Sequence, residues 1–359
     1  MLALPGDCPQ EREGSRAGRI FAGRRAALVG IACVGLALLS LPAGSDGRLA
    51  HMSEIEPVTP VASAENLDPR KVELGRRLFG DVRLSRDGTR SCASCHILEQ
   101  GGDDGLARAV GADGKALDFN TPSVFNAARN FRLNWRGNFR SLEEQNEAVL
   151  TDPRLMNARW QDVLPKLRAD RGYAAEFYRI YGSVPSREGV LDVLATYQRS
   201  LVTPNSRFDR RLNGEAAAIT LDEEQGYQLF KTYGCVACHQ GENFGGNLFQ
   251  RFGIFAQAFG FGNGEVPTDA DLGRYSITGR DEDRFVFRVP SLRNVAVTAP
   301  YFHDGRVATL DKAVDVMARK QLGREIPRQD VTLIVKFLET LTGEHPDGPQ
   351  PQPLNFGLP

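Results

Sequence analysis

The sequence predicts a mainly α-helical protein made of two copies of one unit, and three observations carry that expectation. Apolar residues recur at helical spacing over long stretches, and no sustained alternating strand pattern occurs. A Cys-x-x-Cys-His word occurs twice, at Cys92-Ala93-Ser94-Cys95-His96 and Cys235-Val236-Ala237-Cys238-His239. Flanking words repeat in the same order: Gly75-Arg76-Arg77-Leu78-Phe79 and Gly226-Tyr227-Gln228-Leu229-Phe230 come before, and Gly101-Gly102 and Gly245-Gly246 follow. Further on, Pro122-Ser123-Val124-Phe125-Asn126 returns as Pro290-Ser291-Leu292-Arg293-Asn294. The same offset carries Gly137 to Gly305, Leu142 to Leu310 and Trp135 to His303.

A chain of 359 residues suits two such units and a leader. Residues 1–50 read as a signal peptide and processing region. Arg24 and Arg25 precede the apolar run from Ala26 to Leu41, and small residues close it. An uncleaved anchor is the competing reading. Residues 51–66 look like a flexible lead-in. The N-terminal unit is expected over 67–205, the C-terminal unit over 206–343, and a proline-rich tail over 344–359, lying as a strap on the surface. Helices are expected at 68–79 and 222–232, each leading into a Cys-x-x-Cys-His word. Ser141 and Thr309 each look like an N-cap followed by an early acid. Stretches 187–201 and 328–341 carry apolar residues at helical spacing, and the Gly- and Asn-rich stretch 240–265 reads as a long loop. The net charge of −1, with no basic stripe, argues against a nucleic-acid partner.

The repeated word has a specific chemistry. Two thiols can add across the vinyl groups of a haem while the adjoining histidine ligates the iron. A bare Cys-x-x-Cys also serves zinc half-sites and redox dithiols. The histidine in both copies, and the use of every cysteine beyond Cys33, point instead to two covalently attached haem c groups on Cys92, Cys95 and His96 and on Cys235, Cys238 and His239. Covalent haem attachment agrees with export to the periplasm. An iron with one histidine needs a sixth ligand to relay electrons, or an open face to do chemistry. Of five histidines, His51 and His345 lie in terminal segments. Met317 falls on the face of Leu310, Ala313 and Val314 and is the best sixth ligand; a core methionine is the alternative.

From about 68 to 343 the chain resembles the bacterial di-haem cytochrome c peroxidases and the related MauG proteins. The words that carry the resemblance include Arg83-Leu84-Ser85, Asn120-Thr121-Pro122, Leu142-Glu143-Glu144-Gln145 and Thr203-Pro204-Asn205-Ser206. The densest are Val289-Pro290-Ser291-Leu292-Arg293-Asn294 and Thr298-Ala299-Pro300-Tyr301-Phe302-His303-Asp304-Gly305. The resemblance implies two cytochrome-c-like helical domains. It implies a high-potential haem on His239 with Met317 opposite, and a low-potential peroxidatic haem on His96. It places Trp135 between them on the electron path and Gln145 at the peroxide site. It also implies calcium held by the Asn120 side chain and the carbonyls of Thr298 and Pro300. A small cytochrome c or cupredoxin would supply electrons, hydrogen peroxide would be reduced to water, and a homodimer would fit the family's habit. His303 receives no catalytic role.

Two departures qualify the activity. The family commonly carries a histidine sixteen residues after the first haem histidine; here that position is Ala112. It also places a glutamate before the methionine that follows the glutamine word; here Leu155 precedes Met156. A carboxylate can carry a proton between the peroxide oxygens, and a leucine cannot. A MauG-like oxidant of a partner protein and a peroxide-inert electron-transfer cytochrome are therefore the rival readings.

Overall fold

Helix α1 (Pro69–Phe79) opens the N-terminal half, with Asp68 accepting from the Arg70 amide as its N-cap and Pro69 at its first position. A computed structural model describes residues 56–64, 66–256, 266–348, 350, 351 and 353. The expected signal segment and His51 lie outside the described residues. Helices α2 (Leu142–Thr151), α3 (Trp160–Ala169), α4 (Arg171–Tyr181) and α5 (Arg187–Ser200) complete this half. The predicted Ser141 cap accepts the Glu144 amide. Sequence reading missed α3 and α4, which have moderate amphipathy and, in α3, an internal Pro165.

The C-terminal half contains α6 (Arg207–Leu212), α7 (Leu221–Thr232), the short α8 (Tyr275–Thr278), α9 (Leu310–Gln321) and α10 (Arg328–Glu339). Thr220 caps α7 through a capping box with Glu223. Thr309 stands at the start of α9, but its side chain makes no capping bond there. The stretch expected to be one long loop includes β1 (Phe249–Arg251), paired antiparallel with β2 (Val286–Arg288) in a two-stranded sheet. Three-residue strands are too short to show alternation, so the sequence carried no signal for them.

Each half has its own core. One gathers buried residues from Leu74 to Leu201; the other runs from Phe208 to Leu341 and adds Val58. In each, the helix before the haem word crosses another helix closely enough that only glycine fits. A Cβ on Gly75 of α1 would overlap the Val193 carbonyl of α5 and lie 2.7 Å from the Tyr197 Cβ. A Cβ on Gly226 of α7 would overlap the Leu333 carbonyl of α10 and lie 3.0 Å from the Phe337 Cβ. The repeated glycine is thus a helix-crossing residue twice over.

The halves join at Thr203. Its hydroxyl accepts from Asn126 Nδ2 at 2.7 Å and from Asn294 Nδ2 at 3.0 Å. These asparagines hold equivalent left-handed turns, with φ of 56° and 60°. The β-bridges Leu133–Phe139 and Tyr301–Val307 repeat at the offset seen in the sequence.

The lead-in expected to be flexible is instead packed from Glu56 onward. Val58 and Val61 are buried, Arg293 donates to the Thr59 carbonyl at 3.0 Å, and Tyr227 donates to Glu56. Two valines six or fewer residues from a polar stretch gave no periodic signal, yet they close the C-terminal core. Arg293 also pairs with Asp209 at 2.7 Å in full burial, and Asp209 accepts from the Val61 amide at 3.3 Å, so the pair anchors the lead-in. At the other end, the His345 ring lies 5.1 Å from that of Phe125, so the start of the tail rests on the N-terminal half.

Candidate functional site: two haem-attachment sites and the cleft between the halves

Each Cys-x-x-Cys-His word sits on a short 3₁₀ turn just after or near its helix, at Cys92–Ser94 and Cys235–Ala237. None of the four cysteines of these words is disulfide-bonded. Burial pushes the Cys92 thiol up to about 12 and the Cys235 thiol up to about 11, so both are neutral. That is unlike the electropositive setting of a reactive dithiol.

The two histidines are held alike. His96 Nδ1 lies 3.0 Å from the Gly102 carbonyl, and His239 Nδ1 lies 3.1 Å from the Phe244 carbonyl. A carbonyl fixes Nδ1 as the protonated nitrogen and leaves Nε2 as the metal-binding one. Burial pushes both rings toward the neutral form, His239 down to about 4. Gly102 and Phe244 both take positive φ, 79° and 47°, which turns their carbonyls inward.

A cleft with about 1290 Å³ of atom-free space, counted out to its mouth, brings most of the predicted residues together. Cys235, His239 and Met317 line it, with Trp135, Asn120, Thr298 and Pro300. Phe230, Leu310 and Val314 give it apolar walls. Arg288, only 5% exposed, also lines it. Its guanidinium donates to the carbonyls of Asn134 at 3.2 Å and Val289 at 3.3 Å, and pairs with no carboxylate among the described residues. Burial lowers it to about 10. A buried cation in one cleft with His239 and Cys235 fits a propionate-bearing haem. Sequence reasoning missed Arg288; its place directly before Val289-Pro290 was the available signal.

Trp135 and His303, which exchange places in the repeat, meet at one residue, Asn120. Trp135 Nε1 donates to the Asn120 carbonyl at 2.9 Å, while the Asn120 amide donates to the His303 carbonyl at 2.7 Å. The Arg288 amide returns the bond to the Trp135 carbonyl at 3.0 Å. His303 Nε2 lies 3.0 Å from Asp271 Oδ1, and its ring packs 4.7 Å from Phe287. Asp271, His303 and Asp304 cluster closely enough to suggest a metal site. The Arg306 guanidinium, however, reaches Asp271 at 3.1 Å and Asp304 at 2.5 Å, making this an ion-pair network. Burial opposes the Asp271 carboxylate, but His303 and the Thr268 donors hold it well below its usual range.

Gln145 lies elsewhere, on α2 in the N-terminal half, where its Oε1 is buried with no donor in reach. The two departures from the family pattern lie on segments that are hydrogen-bonded to each other. The Ala112 amide donates at 2.8 Å to the carbonyl of Arg154, the residue before Leu155.

The comparisons bear on this arrangement. A family model described as di-haem cytochrome c peroxidase matches residues 69–217. The cytochrome c551 peroxidase of Nitrosomonas europaea is 40% identical over 318 residues, covering 87% of this chain and 92% of that one. The chain belongs to the di-haem cytochrome c peroxidase and MauG family. It is also 40% identical over 302 residues to the cytochrome c peroxidase Ccp of Escherichia coli, covering 84% of this chain and 64% of that protein's length. A solved structure of a MauG-like protein associated with microbial copper homeostasis superposes with a TM-score of 0.70 at 29% identity, over 80% of this chain and 93% of that one. The family is one of haem oxidoreductases, and its fold implies two haem c groups on two cytochrome c domains. Among the described residues, no helix is long and apolar enough to cross a membrane.

Proposed function

We propose that this protein reduces hydrogen peroxide to two waters, taking two electrons from a small cytochrome c or cupredoxin and two protons from solvent, in the periplasm. The observation that carries the reading is the single cleft in which His239, Cys235, Met317, Trp135 and Arg288 converge. When bound, the two haems supply the redox chemistry. The chain's own residues do the rest. His96 and His239 present Nε2 because Nδ1 is held by a carbonyl. Met317, on α9 and in the same cleft as His239, would hold the second haem iron through its thioether, which would favour a high potential. Trp135, oriented by its bond to the Asn120 carbonyl, gives a π-system between the halves. Gln145 Oε1, a buried acceptor without a donor, suits the O–H of peroxide or water. Asn120, Thr298 and Pro300 would hold calcium through oxygen atoms.

Ala112 offers no side chain that could cap the N-terminal iron, and the hairpin that carries it is held back by the bond to the Arg154 carbonyl. The protein as isolated is therefore expected to show one high-spin ferric haem by EPR, without prior reduction. Two low-spin signals at rest would contradict an open N-terminal site.

Leu155 favours a second reading, a MauG-like oxidant or an electron-transfer cytochrome that is inert to peroxide. Steady-state oxidation of a reduced cytochrome c by peroxide separates them. Sustained turnover supports the peroxidase. Oxidation of the protein's own haems without donor turnover points to MauG-like chemistry, and no reaction points to a carrier.

A further inference from the structure

We infer that Asp103 supplies a fourth protein ligand, a carboxylate, to the calcium site formed by Asn120, Thr298 and Pro300. The inference rests on the calcium reading above and adds to it a charge that the three neutral oxygens lack. All four residues line the same cleft. Three of the oxygens are left open. Asn120 donates its Nδ2 to the Leu106 carbonyl at 2.8 Å, and its Oδ1 accepts nothing among the described residues. The carbonyls of Thr298 and Pro300 likewise accept no hydrogen bond among the described residues.

Asp103 is 3% exposed and pairs with no lysine, arginine or histidine among the described residues. Its carboxylate accepts from the Gly105 amide, and the neighbouring Asp104 carboxylate accepts from Thr121 Oγ1 at 2.7 Å and from the Leu106 amide at 3.0 Å, but none of these neutral donors gives Asp103 a counter-charge. A buried carboxylate without a counter-charge is costly, and a divalent cation is the group that removes the cost. The repeat sharpens the point. The letters align Gly101-Gly102 with Gly245-Gly246, but the structure shifts the pairing: Gly102 and Phe244 provide the carbonyls that hold the two histidines and that accept from Val124 and Leu292, so Asp103 is the counterpart of Gly245. A Cβ on Gly245 would overlap the Pro290 carbonyl. Only the N-terminal copy can carry a side chain there, and it carries an acid. Calcium takes six to eight oxygens, and its affinity rises with the charge of its ligands.

The test is calorimetric titration of calcium into the full-length di-haem protein after removal of bound calcium with EGTA. Asp103→Asn is expected to weaken calcium binding at least about tenfold, and Asn120→Ala to weaken it as well. Weakening by Asn120→Ala with Asp103→Asn within twofold of wild type overturns the role of Asp103 alone. A wild-type protein that binds no calcium overturns the calcium reading and this inference together. Should Asp103→Asn lose haem, wild-type protein labelled with ¹³C-aspartate decides. Calcium should shift a carboxylate stretch in its infrared difference spectrum, and an unshifted spectrum overturns the inference.

Discussion

Replacing Leu155 by glutamate is expected to raise the rate of donor-dependent peroxide reduction by about 10²-fold or more. Cleaving the O–O bond to give water requires a proton to travel from one oxygen to the other. Gln145 can hold an O–H with its buried, unpartnered Oε1, but an amide is a poor proton carrier. The peptide before Leu155 is anchored, since the Arg154 carbonyl accepts from the Ala112 amide at 2.8 Å. Leu155 itself is half-buried and its amide donates to the Asp152 carbonyl at 3.0 Å, so the backbone there is defined. A carboxylate introduced on such a segment starts with its position largely set. General acid–base catalysis is worth roughly 10²–10⁴ in rate, which sets the size of the gain. Steady-state kcat with reduced cytochrome c is the measurement, and Leu155→Gln is the control, similar in size but unable to shuttle the proton. An unchanged kcat in Leu155→Glu, or an equal gain in Leu155→Gln, would refute the assignment of Leu155 as the limiting departure.

Gly226→Ala is expected to destabilise the C-terminal half by about 3 kcal/mol, the upper part of the usual overpacking range. Alanine normally favours a helix over glycine by about 1 kcal/mol, so the intrinsic preference points the other way. Geometry decides the sign. The new Cβ would overlap the Leu333 carbonyl and come within 2.6 Å of the Leu333 carbonyl carbon, and both belong to the backbone of α10. Backbone cannot swing aside as a flexible side chain can, so α7 and α10 must separate. Because Cys235 follows α7 closely, that separation also displaces the second haem-attachment turn. Differential scanning calorimetry should show a melting temperature lower by several degrees, and the haem content should fall below two. Gly75→Ala should act in the same way on the N-terminal half, where the Val193 carbonyl and the Tyr197 Cβ stand in the way. A melting temperature at or above wild type for Gly226→Ala would show that the helices can part without cost.

The attachment chemistry was legible because it is local. Cysteine, cysteine and histidine within five positions state their own geometry, and the structure adds only that Gly102 and Phe244 orient the rings. The repeat was legible for the same reason, as words in order. What the words mean mechanically was not. Nothing in Gly75 or Gly226 as letters says that a carbonyl of another helix fills the space above them. The lead-in was read as loose because Val58 and Val61 show no periodicity, yet they are buried against residues about 150 positions away. The strands β1 and β2 were missed because three-residue elements draw their stability from neighbours, whereas α3 and α4 are amphipathic helices of ordinary length whose signal was present in the sequence.

The residues that bind haem, the doubling of the unit and the loss of histidine and glutamate at Ala112 and Leu155 are properties of the linear chain, because covalent and proton chemistry depend on which side chain is present. Tertiary structure alone decided that Thr203 ties both halves, that Trp135 and His303 meet at the backbone of Asn120, and that Arg288 and Asp103 are buried ionisable groups facing one cleft. Such pairings join residues far apart in sequence, and only the packing of the two halves brings their atoms within hydrogen-bonding range and away from water.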